Sequence, residues 1–232
     1  MTVPLLRDPV DILAGTALLE GVPRRDLEVL ARQLKARSYA KGSYIFQEGD
    51  PGHMLFIVAS GQVKIAHLGR GGEEVVYALL LPGDTFGELA LFEDGAVRSA
   101  DAQATEATEC LTLAREPFLT FLDQHPVAIR HLIKLVSRYI RSSDDSFSEA
   151  AFLDIPGRVA KKLLDLAESQ GDPSLEGRRI RVRLTQRTLA GLVGASRENV
   201  NRALSRFIAH GDISQEHGYI TILRPEQLRK RA

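Results

Sequence analysis

From Tyr39 the chain abandons the helical period, and that switch limits the fold more than any other feature. The stretch YIFQEGDPGHMLFIVASGQVKIAHLGRGGEEVVYALLLPGDTFGE consists of short β-rich runs. Glycine-containing turns break it at 49–52, 60–61, 69–72 and 82–83. Short strands at near-regular spacing with glycine punctuation close into an antiparallel sandwich or barrel. The GRGGEE segment reads as a long hairpin turn, because strands flank it and no GK[ST] follows to make a phosphate loop. Ahead of the strands, DPVDILAGTALLEGV and PRRDLEVLARQLKAR read as short helices, with Leu27, Leu30, Ala31 and Leu34 at helical spacing.

The helical period returns after AREPFLTFLDQHP. Ile129, Leu132, Ile133, Val136, Ile140, Phe147 and Ala151 line one stripe of a helix predicted over roughly 126–151. Such a stripe has two ways to leave water. It packs on its own β-domain, or it pairs with the same helix of a second copy in a coiled-coil-like seam, the reading adopted here. FLDIPG ends the run, with Asp154 as a helix N-cap and Pro156 tolerated in the first turn. Val159, Ala160, Leu163, Leu164, Leu166 and Ala167 then mark the buried face of a third helix, and SQGDPSLEGR reads as a loop. The expected class is therefore α+β: an antiparallel β-domain over 1–125, a long helix with its hinge over 126–153, and a third domain over 154–232. The hinge itself is placed at 152–157.

Charge divides along the same lines. Lys and Arg equal Asp and Glu over the whole chain, yet residues 1–156 carry net −7 and residues 157–232 carry net +7. A basic end on an acidic body is the layout expected when only that end meets nucleic acid, although basic surface can also be merely solvated. One cysteine excludes a disulfide framework, an iron–sulfur cluster and a structural zinc held by thiolates. The six histidines show no HxxxH or HExxH spacing. No apolar run approaches 18 residues and the N-terminus carries acids, so the expectation is a cytoplasmic protein without a membrane span.

The basic third contains LTQRTLAGLVGASRENVNRALSRFIAHG. Thr185 can cap a short helix carrying Leu189, Ala190 and Leu192, and Gly194 permits a tight turn. Ser196 can then cap a second helix whose Val200, Ala203, Leu204 and Phe207 face inward. Arg197, Glu198, Asn201 and Arg202 are left pointing outward from its first two turns. A helix-turn-helix presents those turns to base edges in the major groove: Arg suits guanine O6/N7 and Glu accepts from cytosine N4. GDISQEHGYITIL alternates around Gly218 as a small hairpin, or wing. A two-helix hairpin with a salt-laced surface is the plainer alternative. The charge, the two caps and the wing together favour DNA binding.

A second constellation lies in FGELALFEDGAVRSA, residues 86–100. Glu88 follows Gly87, Arg98 and Ser99 come ten residues later, and Gly95 stands between to turn the chain back. Spacing alone allows an anion cup or an ion pair closing an empty barrel.

The whole chain resembles Crp/Fnr-type transcription regulators, and within them the cyclic AMP receptor branch. The resemblance is carried by EGDPG, SGQVK, PGDTFGELALFEDGAVRSA, AFLDIPGRVA and LVGASRENVNRAL. It implies a cyclic-nucleotide-binding β-roll, a long dimerisation helix and a C-terminal winged helix-turn-helix. It further implies cyclic AMP as effector, and a homodimer, palindromic double-stranded DNA and RNA polymerase as partners. On that reading Arg98 forks onto the cyclic phosphate, Ser99 adds a hydroxyl donor and Glu88 accepts from the ribose 2′-hydroxyl. Gly87 leaves room for backbone approach. GELALF forms a short helix whose N–H groups around Gly87–Leu89 favour an anion. Arg197, Glu198 and Arg202 match the base readers, implying half-sites like TGTGA. Thr185, Gln186 and Ser196 would position on phosphate, and Asn201 has no settled role.

One position departs from the branch. There, adenine is held by a Thr–Ser pair on the long helix, one residue reaching from the partner subunit, and the matching positions here are Ser143 and Asp144. A carboxylate only accepts, so Asp144 suits the adenine N6 amine or a guanine N2 amine, and the base is left open. The Arg98–Ser99 step is closer to cyclic AMP sites than to cyclic GMP sites. The oxygen-sensing branch needs several cysteines, and the haem-sensing branch needs axial ligands that the scattered His53, His67, His125 and His131 do not identify. With no GxSxG, no metal constellation and no residual domain for chemistry, the chain is not expected to be an enzyme.

Overall fold

The computed structural model describes residues 8–174 and 176–232. Helix α1 (Pro9–Ala14) begins where Asp8 accepts from the Val10 N–H, with Pro9 at the first helical position. A 3₁₀ turn (Ala17–Leu19) and α2 (Arg24–Ala31) follow. Eight strands come next: β1 (Lys35–Tyr39), β2 (Tyr44–Phe46), β3 (Met54–Ser60), β4 (Val63–Leu68), β5 (Glu74–Leu80), β6 (Thr85–Phe86), β7 (Asp101–Ala104) and β8 (Thr108–Ala114). They form two four-stranded sheets ordered β1-β8-β3-β6 and β2-β7-β4-β5. β8 pairs β1 and β3, and β7 pairs β2 and β4, all antiparallel. GRGGEE is the β4–β5 turn, closed by the Gly69 N–H on the Glu73 carbonyl at 2.7 Å, with Gly72 at φ 87°. The expected antiparallel roll is present.

Why β3 reads as an almost unbroken apolar run is explained by its two faces. Phe56 and Val58 point into the roll beside Val63, Phe86, Ala102 and Cys110. Leu55, Ile57 and Ala59 point the other way, into a core built with α1, α2 and the helices that follow. Those helices are α3 (Arg115–Gln124) and α4 (Pro126–Phe152). Pro126 forces the break between them, since the residue before proline is disfavoured in the helical region; His125 sits at φ −130°, ψ 78°.

The first half of α4 is covered by the chain itself, with Ala128 and Leu132 buried and Leu135, Val136 and Tyr139 half-buried. Ile133, Ile140 and Phe147 stand 60%, 59% and 80% exposed. With Ile129, Val136 and Ser143 they fall at alternating steps of four and three residues, a heptad seam without a cover in the single chain. Packing on its own β-domain therefore accounts for one face of the first half of the helix and leaves Ile133, Ile140 and Phe147 open.

Two compact units divide the chain, one comprising the residues up to Leu68 with Tyr77–Ile140, the other Gly69–Val76 with Arg141–Ala232. In the second unit α5 (Ile155–Gln170) starts at Asp154, whose Oδ1 accepts from the Gly157 N–H at 2.8 Å. It buries Val159, Ala160, Leu163, Leu166 and Ala167, while Leu164 is half-buried. The expected loop SQGDPSLEGR is not a loop. Its first two residues complete α5, and β9 (Gly171–Pro173) and β10 (Arg178–Ile180) form within or just beyond it. β10 pairs with β12 (Tyr219–Ile222), some forty residues downstream, so its ladder partner was invisible to any local pattern. β11 (Ile213–Glu216) completes a sheet ordered β11-β12-β10-β9. The wing turns at His217 and Gly218, both at positive φ (51° and 85°), the geometry of a tight two-residue hairpin.

Helices α6 (Gln186–Val193) and α7 (Arg197–Ala209) meet as expected, and α8 (Pro225–Arg229) ends the chain. Thr185 caps α6 by accepting from Thr188, and Ser196 caps α7 by accepting from Asn199. Gly194 closes α6 in the left-handed region at φ 58°, ψ 50°, and Arg158 of α5 donates to the Val193 carbonyl at 2.9 Å. An alanine at 194 must adopt that conformation against its Cβ. We expect Gly194→Ala to lower unfolding free energy by about 1 kcal/mol in a denaturant titration, with secondary structure unchanged.

Candidate functional site

Arg98 is a permanent cation and is 4% exposed. Its backbone is clamped first. The Gly49 N–H donates to the Arg98 carbonyl at 2.9 Å, the Arg98 N–H donates to the Asp50 carbonyl at 2.8 Å, and the Gly52 N–H donates to the Ala96 carbonyl at 3.1 Å. The EGDPG turn thus holds the segment that carries Arg98, with Pro51 and Val97 forming an isolated antiparallel bridge. Its guanidinium then donates through Nη1 to the Gly87 carbonyl at 2.6 Å and through Nη2 to the Met54 carbonyl at 2.8 Å. The charge lies 4.3 Å from the Phe46 ring centroid and 5.6 Å from that of Phe56. Gly87 makes the first contact possible: at φ 80°, a Cβ there would lie 2.7 Å from Nη1.

Glu88 is 2% exposed and faces the same interior. Burial pushes its carboxyl above the ordinary range, opposed by backbone donors, the Tyr139 hydroxyl and the charge of Arg98. The two charges do not neutralise each other by contact, because Arg98 donates to backbone carbonyls. Instead each charge keeps one buried atom without a hydrogen-bond partner, Glu88 Oε2 and Arg98 Nε. Buried polar atoms of this kind cost free energy until something pairs with them.

The other expected pocket residues fall in different places. Ser99 is exposed beside Arg98, and Leu89 is exposed at the start of a 3₁₀ turn, Leu89–Leu91. That single turn replaces the short helix expected from GELALF, since the chain turns at once into the EDG loop. Ser143 and Asp144 lie exposed on the distal half of α4. Residues that local reading missed are Tyr139, Phe46, Phe56 and Met54. The aromatic rings look like ordinary strand core in the sequence, and Tyr139 sits between the stripe positions 136 and 140 with nothing to mark it.

On α7, Arg197, Glu198, Asn201 and Arg202 are all exposed, and Val200, Ala203, Leu204 and Phe207 are buried behind them. Several are tied to neighbours. Gln186 Nε2 donates to Asn201 Oδ1 at 2.8 Å, bridging α6 and α7, and Arg202 donates to Asn199. A backbone hydrogen bond at the start of α7, then the Ser196 hydroxyl and the charges of Arg197 and Arg202, hold Glu198 below its ordinary range. It therefore stays an acceptor at neutral pH. Among the described residues, no group of three or more His, Cys, Asp or Glu could hold a metal ion, and no helix is long and apolar enough to cross a membrane.

The raised carboxyl of Glu88 has a thermodynamic consequence. When the folded pKa lies above the unfolded one, the native state binds more protons across that window, so stability falls as pH rises through it. Glu88→Gln removes the charge at little change in shape. The variant should melt higher than the parent at pH 7, on the order of a few degrees, and the difference should vanish below the unfolded glutamate range. Thermal scans from pH 4 to 8 read this directly.

Residues 36–125 match the cyclic nucleotide-binding domain family, and residues 157–231 match the Crp-like helix-turn-helix domain family. The chain is 35% identical over 222 residues to the CRP-like cAMP-activated global transcriptional regulator of Mycobacterium tuberculosis, covering 96% of this chain and 99% of that protein. It is 33% identical over 210 residues to the cyclic AMP receptor protein of Thermus thermophilus, covering 90% and 94%. The crystal structure of Thermus thermophilus catabolite activator protein matches with TM-score 0.53 at 32% identity, over 94% of this chain and 98% of that one. FixK2 from Bradyrhizobium japonicum, at 22% identity, shares the fold with TM-score 0.75 over 85% and 96%. Two domains in family order and similarity along nearly the full length of such a regulator settle the matter: the chain belongs to the Crp/Fnr family of DNA-binding transcription regulators.

Proposed function

We propose that the chain is a cyclic AMP-responsive, homodimeric regulator that reads a palindromic operator. The observation that carries the effector site is the pair of unpartnered buried atoms, Arg98 Nε and Glu88 Oε2, on two residues whose charges act on each other. They call for a ligand that brings an anionic acceptor and a hydroxyl donor together, as a cyclic phosphate and a ribose 2′-hydroxyl do. A guanidinium has five N–H donors; two serve backbone carbonyls, and three remain for phosphate oxygens. Ser99 adds its hydroxyl at the rim. The named relatives favour cyclic AMP, and Ser143 with Asp144 are the residues on which the base depends.

The open stripe of α4 supports a parallel pairing with a second copy, with Ser143 at one of the seam positions. Ligand binding then favours one arrangement of the helix pair and, through the 152–157 segment, one setting of the two α7 helices. Coupling of about 1–3 kcal/mol is enough for such a switch. Two-fold symmetry sets half-sites about 34–36 Å apart. Arg197, Glu198 and Arg202 take base edges, Thr185, Gln186 and Ser196 take phosphates, and Asn201 orients Gln186. RNA polymerase is the downstream partner, the protein works in the cytoplasm, and no catalytic role is assigned.

Calorimetric titration with cyclic AMP and cyclic GMP tests the effector. Binding should occur, and Arg98→Ala should weaken it roughly 100-fold, the factor for a lost charged fork. No heat at millimolar ligand overturns the effector assignment, and an operator fragment shifted equally with and without nucleotide overturns the switch. For the seam, Ile140→Asp should convert a dimer to a monomer in sedimentation velocity. An unchanged sedimentation coefficient would remove the stripe from the interface.

A further inference from the structure

Asp212 is 2% exposed at the junction of α7 and the wing, and nothing assigned to the reading head so far makes use of it. Its N–H donates to the Phe207 carbonyl at 2.8 Å, just past the end of α7. Its carbonyl accepts from the N–H groups of Leu223 and Arg224, at 3.0 and 3.1 Å, just past β12. The side chains repeat the stitch. Arg224 Nε donates to the Gly211 carbonyl at 3.0 Å, and Arg224 Nη2 lies 3.3 Å from Asp212 Oδ1. Resting on the operator reading above, we propose that Asp212 and Arg224 are positioning residues for DNA binding: they fix the wing against α7 so that both engage one operator together.

Stability does not explain this pair. Asp212 Oδ2 is buried without a hydrogen-bond partner, and Arg224 keeps about half of its side chain in water. A buried carboxylate so incompletely paired costs folding free energy that an apolar residue would not. What the pair supplies is one defined arrangement, because a planar guanidinium reaches both acceptors only in a fixed orientation. Its surroundings restrict it further. Gly211 stands at φ 67°, and a Cβ there would lie 3.3 Å from Arg224 Nη2. Pro225 disfavours the helical region for the residue before it, and Arg224 sits at φ −130°, ψ 79°.

Leverage makes the angle matter. β11 spans 4 residues, so at about 3.3 Å each the turn at His217 and Gly218 lies roughly 13 Å from the knot. A tilt of about 10° at the knot moves that turn by roughly 2 Å, more than a hydrogen bond tolerates. Cationic side chains are braced on this end of the hairpin. A Cβ on Gly218 would lie 3.0 Å from Cγ and Nε of the exposed Arg183, and the Arg179 guanidinium lies 4.6 Å from the Tyr219 ring centroid. Such cations suit phosphate oxygens, and they reach them only if the hairpin stands at the right angle while α7 occupies the major groove.

The test is an anisotropy titration of the full-length parent, Arg224→Gln, Asp212→Asn and the double variant, with cyclic AMP present. Two duplexes carry the same pair of TGTGA half-sites; one stops at their outer edges, and the other continues about ten base pairs beyond each. The parent should bind the longer duplex roughly 10-fold more tightly, through the added phosphates. Arg224→Gln and Asp212→Asn should each weaken the longer duplex about 5-fold and leave the shorter one nearly unchanged. The double variant should lose little more than either single one, because both act on the same knot. Equal weakening of both duplexes, or of neither, would overturn the positioning role while leaving the operator reading in place. A parent that gains nothing from the flanks would do the same. Failure of the parent to bind either duplex would overturn the operator reading, and this inference with it. If Arg224→Gln melts markedly lower than the parent, Arg224→Lys decides, since it keeps the cation and lacks the fork. It should bind the shorter duplex as the parent does and lose the gain from the flanks; a retained gain overturns the proposal.

Discussion

A guanidinium that cannot lose its charge is buried in the wall of a β-roll, and much of the first unit is arranged around that fact. Removing such an ion from water costs several kcal/mol even after relaxation. Two charge-assisted hydrogen bonds to the Gly87 and Met54 carbonyls and the faces of Phe46 and Phe56 supply compensation of the same order. Each contact depends on a specific backbone placement. Gly87 must lack a side chain, β3 must end its ladder at Met54, and the EGDPG turn must hold Arg98 by both its N–H and its carbonyl. The compensation is incomplete: Arg98 Nε has no partner, and neither does Oε2 of Glu88. That unmet hydrogen bonding sets the place apart from an ordinary core.

Strand β3 connects this site with the helical layer through its own pleat. Phe56 stands under Arg98 on the inner face, while Leu55 and Ile57, its neighbours in sequence, pack outward among Phe118, Ala128 and Leu132. Close-packed interiors transmit small displacements because they have no slack to absorb them. The outer side of the same strand is where α4 is rooted.

Helix α4 changes its environment along its length. Its first turns are core, and the rest carries a heptad stripe with exposed Ile133, Ile140 and Phe147. Apolar side chains of that size at seam spacing mark an interaction surface, and the proposed second copy is the cover that satisfies the heptad geometry. The reading head needs no such completion in its own fold. Its two caps, the left-handed Gly194 and the buried Val200, Ala203, Leu204 and Phe207 define α6 and α7 within the chain. Gln186 and Asn201 face each other across the two helices, Gln186 Nε2 donating to Asn201 Oδ1.

Much of this was legible in the order of residues. The switch from alternating to helical period marked the roll and α4, because side-chain direction repeats every two residues in a strand and every 3.6 in a helix. The caps at Asp154, Thr185 and Ser196 and the turns at Gly194 and Gly218 were readable because they act within four residues of themselves. Glu88 and Arg98 stood out as charges in an apolar stretch. Tertiary structure alone decided what lay far apart in sequence: the pairing of β10 with β12, the carbonyls of Gly87 and Met54 as Arg98's partners, and the aromatic rings beneath it. A local pattern encodes which way a side chain points, whereas the partner it meets depends on where the rest of the chain comes to lie.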